Sequence, residues 1–156
     1  MTGKEKVISI YKIDSSYAKE LSDLILNIPE EYSKYFTPFS FDEKTICSKI
    51  KNSVKDQYFG VFTDSQLSGF YMIRGLDDGY TTPSYGVWIS PKFSGLGLAK
   101  KTIIHALEWC EQNNIKKLMV KAHPDNLIAK KIYESFDFIA NGIDPNNNNI
   151  IYYKNF

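Results

Sequence analysis

Ser84-Tyr85-Gly86-Val87-Trp88-Ile89-Ser90-Pro91-Lys92-Phe93-Ser94-Gly95-Leu96-Gly97-Leu98-Ala99 is the stretch on which the fold turns. Ser84 to Ser90 has the aromatic and β-branched content of a strand, and Pro91 ends it because proline has no N–H to give a ladder. A glycine-bearing turn follows, and a long helical pattern begins at once. Ala99, Ile103, Ala106, Leu107 and Cys110 fall on one face of that helix, while Lys100, Lys101, His105, Glu108 and Gln112 fall on the other and read as solvated. A strand that passes through such a turn into a helix aims unpaired N–H groups and the positive end of the helix dipole at one spot, where glycine lets an anion approach the main chain. Gly95 to Ala99 is therefore a candidate phosphate cradle, and a plain tight turn accounts for the same glycines. Gly95-Leu96-Gly97 lacks the third glycine of the dinucleotide fingerprint, and Lys101-Thr102 lacks the preceding glycine of a Walker loop.

Upstream, Val7 to Ile13 alternates as a half-buried strand, and Ala18, Leu21, Ile25 and Ile28 recur at helical spacing until Pro29. An aromatic-rich connection holds Tyr32, Tyr35, Phe36, Phe39 and Phe41, kept from being one helix by Pro38. Ser40 with Glu43 has the form of a capping box opening a second helix that carries Ile46, Ile50 and Val54 inward. Tyr58 to Thr63 and Leu67 to Arg74, joined by Asp64-Ser65-Gln66, make a hairpin. Downstream, Asn113-Asn114 closes the long helix and Lys117 to Ala122 is a strand. Pro124 to Phe136 is a short helix with Ile128, Ala129, Ile132 and Phe136 inward, and Asp137 to Ala140 and Ile150 to Tyr153 are strands. The order β-α-α-β-β-β-α-β-α-β-β predicts a mixed α/β (α+β) sheet with helices on its faces, neither doubly wound nor a sandwich.

A chain of 156 residues is expected to form one domain over 1–156, at ~150 residues per domain. With 43% hydrophobic and 24% charged residues it can fill a core, and a net charge of +1 gives no basic excess for a nucleic-acid backbone. No apolar run approaches the roughly 20 residues that cross a bilayer, and Met1 to Lys6 leads into no signal-type segment, so the expected setting is the cytoplasm, with no membrane partner. Cys47 and Cys110 have no neighbouring cysteine for a metal pair and read as core or surface thiols, so no metal is expected.

A second segment sharpens the functional reading: His123-Pro124-Asp125-Asn126-Leu127-Ile128-Ala129-Lys130-Lys131-Ile132-Tyr133-Glu134-Ser135-Phe136-Asp137-Phe138. Together the two segments resemble the GNAT superfamily of N-acetyltransferases, with its Arg/Gln-x-x-Gly-x-Gly/Ala and Asn-x-x-Ala-x-x-x-Tyr motifs. The resemblance covers residues 58–140 well and the N-terminal third only through the order of its elements. Ser94 stands where the family has Arg or Gln, Gly97 and Ala99 fill the two small positions, and Asn126, Ala129 and Tyr133 match, whereas Asp137 replaces a glycine.

The resemblance implies a splayed, largely antiparallel central sheet and acetyl-CoA as co-substrate, held in a wedge between the strand at Val87 to Ile89 and the strand ending at Ala122. It implies that backbone groups of Trp88 and Ile89 hold the pantetheine, that Ser94, Gly95, Leu96, Gly97, Leu98 and Ala99, with Asn126, Ala129 and Tyr133, form the coenzyme site, and that Tyr133 protonates the leaving thiolate. His123, an imidazole at the end of its strand, is a candidate base for the acceptor amine. Glu31, Asp42 and Glu43 are candidates to bind an ammonium group, and Lys130 and Lys131 to reach a coenzyme phosphate. The aromatic set from Tyr32 to Phe41, with Tyr80, Tyr85 and Trp88, can wall an acceptor pocket or belong to the core. The expectation is transfer of acetyl to a primary amine of a small molecule, such as an amino sugar or amino-acid derivative. The rival is a non-catalytic acyl-CoA-binding module, kept open by Ser94 and Asp137. The terminal strand leaves a homodimer open.

Overall fold

A computed structural model describes residues 5–156, so the first four residues of the leading segment Met1 to Lys6 lie outside the described residues. The strands are β1 (Ile8–Lys12), β2 (Gln57–Thr63), β3 (Gln66–Arg74), β4 (Ser84–Ile89), β5 (Lys117–Ala122), β6 (Ile139–Ile143) and β7 (Ile150–Asn155). The helices are α1 (Ala18–Leu26), α2 (Glu30–Ser33), α3 (Glu43–Lys51), α4 (Leu98–Gln112) and α5 (Leu127–Ser135). They build one seven-stranded sheet in the order β1-β2-β3-β4-β5-β7-β6, antiparallel at every step except the parallel pair β4 and β5. A parallel pair needs a crossover, and α4 supplies it. The mixed sheet is the architecture expected from the element order, and its largely antiparallel pairing is the one the family resemblance implies. In addition, one turn of helix, α2, forms inside the aromatic connection, where Pro29 sets its start.

The β2–β3 hairpin turns on two residues, Asp64 and Ser65, both with positive φ (47° and 69°), so Gln66 is already in the strand. Positive φ at both central positions matches the right-handed twist of the flanking strands. The cap of α3 is Asp42 rather than the expected Ser40 with Glu43: Asp42 Oδ1 accepts from Thr45 N at 2.8 Å, and Ser40 Oγ donates to Asp42 Oδ2. Those hydrogen bonds, that from Ser40 first, lower the Asp42 carboxyl pKa to about 2. Helix α3 ends at Lys51, with Asn52 as its C-cap, and leaves Val54, expected inward, 81% exposed beyond it.

Alternation along the strands divides the buried side chains between two faces. Tyr71, Tyr85, Leu118, Val120 and Tyr152 meet Ile103, Ala106 and Cys110 of α4 on one face. Phe62, Phe70, Met72 and Trp88 meet α1 and α3 on the other. The second cluster draws no residue from β5, β6 or β7, so that half of the sheet has no helical cover on the α1/α3 face. Strand β7 lies between β5 and β6 with both edges paired, so it offers no free edge to a second copy. Ile128, expected inward on α5, is 75% exposed, while Tyr133 is the buried residue of that helix. Among the described residues no helix is long and apolar enough to cross a membrane.

Gly69 of β3 lies opposite Ile89, and a Cβ built there would stand 2.3 Å from the Trp88 carbonyl oxygen and 2.9 Å from Ile89 Cα. Both obstacles are backbone, so relief requires β4 itself to move. Gly69→Ala is expected to lower stability by about 1–3 kcal/mol, read as a lower urea midpoint at unchanged slope.

Candidate functional site

The site begins where a ladder stops. Strands β4 and β5 pair only at Ser84 with Met119 and Tyr85 with Val120, and Met119 N donates to Pro83 O at 2.9 Å. From Gly86 onward β4 leaves β5, and a wedge opens between them. Ser90 N donates to Ser68 O at 2.8 Å, so Ser84, Gly86, Trp88 and Ser90 turn their backbone groups toward β3. Val87 and Ile89, one residue out of step, turn theirs into the wedge. Trp88, expected to present backbone there, has it engaged with β3. Its indole packs in the α1/α3 cluster, with Nε1–H donating to Ser33 Oγ at 2.8 Å. Tyr32 Oη donates to Ile89 O at 2.5 Å, which leaves the Ile89 N–H and both Val87 groups without protein partners among the described residues.

At the end of β4, Ser90 Oγ caps a 3-10 turn at Pro91–Phe93, and Ser94 closes it with an exposed side chain. Gly95 and Gly97 follow with φ of 81° and 68°, where glycine avoids the strain a Cβ would bring. A Cβ at either position would meet nothing within 4 Å. The N–H groups of Gly95, Leu96, Gly97, Leu98, Ala99 and Lys100 find no acceptor among the described residues, since the first turn of α4 cannot supply one. Leu98 is buried and pins the turn from below. Thr102 Oγ1 donates to Ala99 O at 2.6 Å and receives the Tyr85 hydroxyl at 2.7 Å, which ties the first turn of α4 to β4. The sequence gives no signal for that Tyr85–Thr102 link, because it joins two elements across a crossover.

Asn126 caps α5, accepting Ala129 N at 3.3 Å, and lines the cavity together with Ala129 and Tyr133. At the far end, Asp137 has φ 66°, the left-handed conformation in which Asp137 N and Phe138 N close the helix on Glu134 O and Tyr133 O, each at 3.1 Å. The departure from glycine is thus absorbed in an exposed helix end. Tyr133 is 7% exposed and its phenol has no hydrogen-bond partner among the described residues, yet no side-chain polar atom among them is both buried and unpartnered. The Tyr133 oxygen therefore reaches the cavity. Burial pushes its pKa up to about 12.

His123 stacks on Tyr35 with ring centroids 4.5 Å apart, and its Nδ1 accepts Asp125 N at 3.0 Å; the Asp125 carboxylate, at 3.9 Å, is too far to bond. His105, expected to be solvated, is half-buried: its Nδ1 hydrogen-bonds the Tyr71 hydroxyl at 2.5 Å, it sits edge-on to Phe59, and burial lowers its pKa.

The wedge opens into a cavity of about 1050 Å³ on the uncovered face of the sheet. The aromatic set divides between the two roles left open for it. Tyr32, Tyr35, Phe36, Tyr80, Tyr85 and Trp88 line the cavity, whereas Phe39 and Phe41 pack toward Phe36 and Phe70. The candidate ammonium ligands lie elsewhere: Glu31 pairs with Lys34 at 2.6 Å, Asp42 caps α3, and Glu43 is exposed in its first turn. Lys130 and Lys131 do not line the cavity either. No cluster of three metal-binding side chains occurs among the described residues.

The sequence model of the acetyltransferase (GNAT) family matches residues 22–138. No curated protein matches the sequence. Among solved structures, the PaiA N-acetyltransferase of Thermoplasma acidophilum, in complex with coenzyme A, superposes with a TM-score of 0.78 at 16% identity, over 96% of this chain and 99% of that one. The ribosomal-protein-S5-alanine acetyltransferase of Vibrio fischeri gives 0.80 at 14% identity, over 95% and 92%. The microcin C7 self-immunity acetyltransferase MccE, in complex with acetyl-CoA and AMP, gives 0.77 at 19% identity, over 96% and 92%. At these identities the likeness is one of fold.

Asn126→Ala is expected to cost about 1 kcal/mol in urea unfolding, with Asn126→Asp restoring most of it, because an Asp oxygen caps a helix as well as an Asn oxygen does. Loss in both variants would mean that the Asn126 amide nitrogen carries the contribution.

Proposed function

The chain belongs to the GNAT family of acetyltransferases, and from that premise we propose that it moves acetyl from acetyl-CoA to the primary amine of a small molecule by direct attack. The observation that carries the reading is the meeting, at one cavity, of unpaired β4 backbone groups with a buried, unpartnered phenol. The residues present fit the donor. Six successive N–H groups from Gly95 to Lys100 lie free beside open space at two glycines, which suits a pyrophosphate and needs no side chain from Ser94. The free edge of β4 at Val87 and Ile89 suits an extended amide-bearing arm that adds to the sheet as a strand would.

Acetyl-CoA supplies an activated thioester when bound. The free N–H groups of Val87 and Ile89 are the donors available to a carbonyl oxygen that gains negative charge under attack, and as fixed backbone dipoles they need no reorganisation. Tyr133, raised to about 12, stays protonated throughout the working range and donates to the departing sulfur. The same burial raises the proton affinity of a thiolate, which narrows the gap between the two groups. The ring of His123, stacked on Tyr35, forms part of the cavity wall, and the amine enters in its neutral form. The cavity, walled by aromatic rings, has the size of a small-molecule site.

Calorimetric titration with acetyl-CoA, coenzyme A and ATP is the direct test. Binding that requires the pantetheine arm is expected, and binding indifferent to it would overturn the proposal. Tyr133→Phe is expected to lower kcat by about 10²-fold or more while acetyl-CoA still binds; unchanged turnover would remove Tyr133 from the chemistry. For an acid whose folded value lies above its unfolded one, the neutral form is fully present below pH ~10 and is lost only as pH rises toward 12. The rate profile should therefore climb with deprotonation of the acceptor and show no Tyr133-dependent descending limb below about pH 10.

A further inference from the structure

The chain carries eighteen lysines and a single arginine, Arg74. That arginine lies at the end of β3, opposite Ser84, on the wall of the cavity that the open face of the sheet forms. It is half-buried, its guanidinium sits 5.1 Å from the Phe39 ring centroid, and no carboxylate pairs with it among the described residues. Lys117, on the same wall, lies 4.2 Å above the Tyr153 ring and also has no ion-pair partner among them. Lys121 is there too, but its charge is met by Asp144 at 2.9 Å. Against these cations the wall offers one carboxylate among the described residues, the exposed Asp78.

A cavity with this charge balance disfavours a polycation. A half-buried guanidinium stacked on an aromatic ring loses part of its hydration and has its flat fork oriented, and that fork matches a carboxylate or phosphate in two-pronged geometry. We infer that the acetyl acceptor is itself an anion, an amine that also bears a carboxylate or phosphate, docked by Arg74 with Lys117 beside it while its amine points to the wedge. The inference rests on the proposed acetyl transfer and gives that activity its substrate class. Arg74 stands across from Ser84, and the wedge backbone begins three residues further along β4 at Val87, about 10 Å at the rise of a strand. The acceptors to test therefore include amino carboxylates of increasing length.

The experiment pairs each amino carboxylate with its carboxamide, from α-amino acids to longer ω-amino acids and dipeptides, and adds aminoalkyl phosphates with the matching amino alcohols. Turnover is followed by thiol release, and binding of each member is measured by calorimetry with and without acetyl-CoA. At least one anionic member is expected to exceed its neutral counterpart by about 10- to 100-fold in kcat/KM or in affinity. In Arg74→Gln that ratio should collapse, and in Arg74→Lys it should be partly kept; thermal unfolding of both variants checks that they remain folded. Neutral members that match or exceed the anionic ones in the unaltered protein overturn the inference, as does a set of which no anionic member is bound or turned over. A ratio undiminished in folded Arg74→Gln also overturns it. Failure of acetyl-CoA to bind would instead overturn the acetyl-transfer reading, and the calorimetric comparison of anionic with neutral members still decides the charge preference.

Discussion

The parallel pairing of β4 with β5 lasts for two residues, and the rest of the site follows from where it ends. A full ladder would have satisfied the backbone of Val87 and Ile89 and closed the sheet into a continuous surface. Its early end instead leaves main-chain groups facing a gap, and unpaired groups of that kind are stable only where solvent or a ligand can reach them. Three features keep the gap from healing. Pro91 ends β4 just past the divergence, Tyr32 holds the Ile89 carbonyl from the opposite side, and the Tyr85–Thr102–Ala99 chain of hydrogen bonds fixes the helix that begins at the gap's edge. Gly69 lets β3 approach β4 closely enough to carry the diverging strand on one edge alone.

The unequal covering of the sheet does the complementary work. Helices α4 and α5 pack across the central strands on one face, whereas α1 and α3 serve only β2, β3 and the Trp88 end of β4 on the other. The uncovered half would be an ordinary solvated surface were it not walled by the aromatic segment around α2, the loop after β3 and the loop before β7. In the proposed reading, a donor on the α4 side and an acceptor on the open side meet through the gap. Loops would then form the acceptor wall and strand ends and helix termini the donor site, because one must suit a particular partner and the other a common one.

Local signals carried most of the fold. The helix spacing before Pro29, the β2–β3 hairpin, the strand Lys117–Ala122 and the turn at Gly95 to Gly97 are each decided by a few neighbouring residues, and each stands where its pattern put it, with Gln66 of the expected turn drawn into β3. The readings that changed depend on what lies across the sheet. His105 sits on the polar side of its helix by period, but its own ring meets Tyr71 and Phe59. Ser40 has the right spacing for a cap, yet Asp42, nearer the helix, takes the role and uses Ser40 as a donor. Trp88 and Val87 differ by one residue, and a one-residue step in a strand exchanges the edge that the backbone faces, which only the register with β3 can decide. Arg74 carried no motif at all; its isolation from carboxylates exists only in three dimensions.

Burial alone would make Tyr133 an ordinary core residue, and comparison with the other three tyrosines buried in the same cluster, on the α4 face of the sheet, separates the two cases. The Tyr71 hydroxyl is paired with His105, that of Tyr85 with Thr102, and that of Tyr152 with Glu134. Each pairing offsets the cost of taking a phenol out of water, about 1–3 kcal/mol for an oxygen left unmet. Tyr133 has the same burial and no such partner, so its hydroxyl is met only from the cavity side. A phenylalanine would fill the same space against Tyr85, Phe138 and Tyr152 without that demand. Packing therefore accounts for the ring and leaves the hydroxyl unexplained. What distinguishes that oxygen is the cavity it opens on, whose lining Tyr133 shares with Asn126 and with Val87 and Ile89 of the free edge of β4.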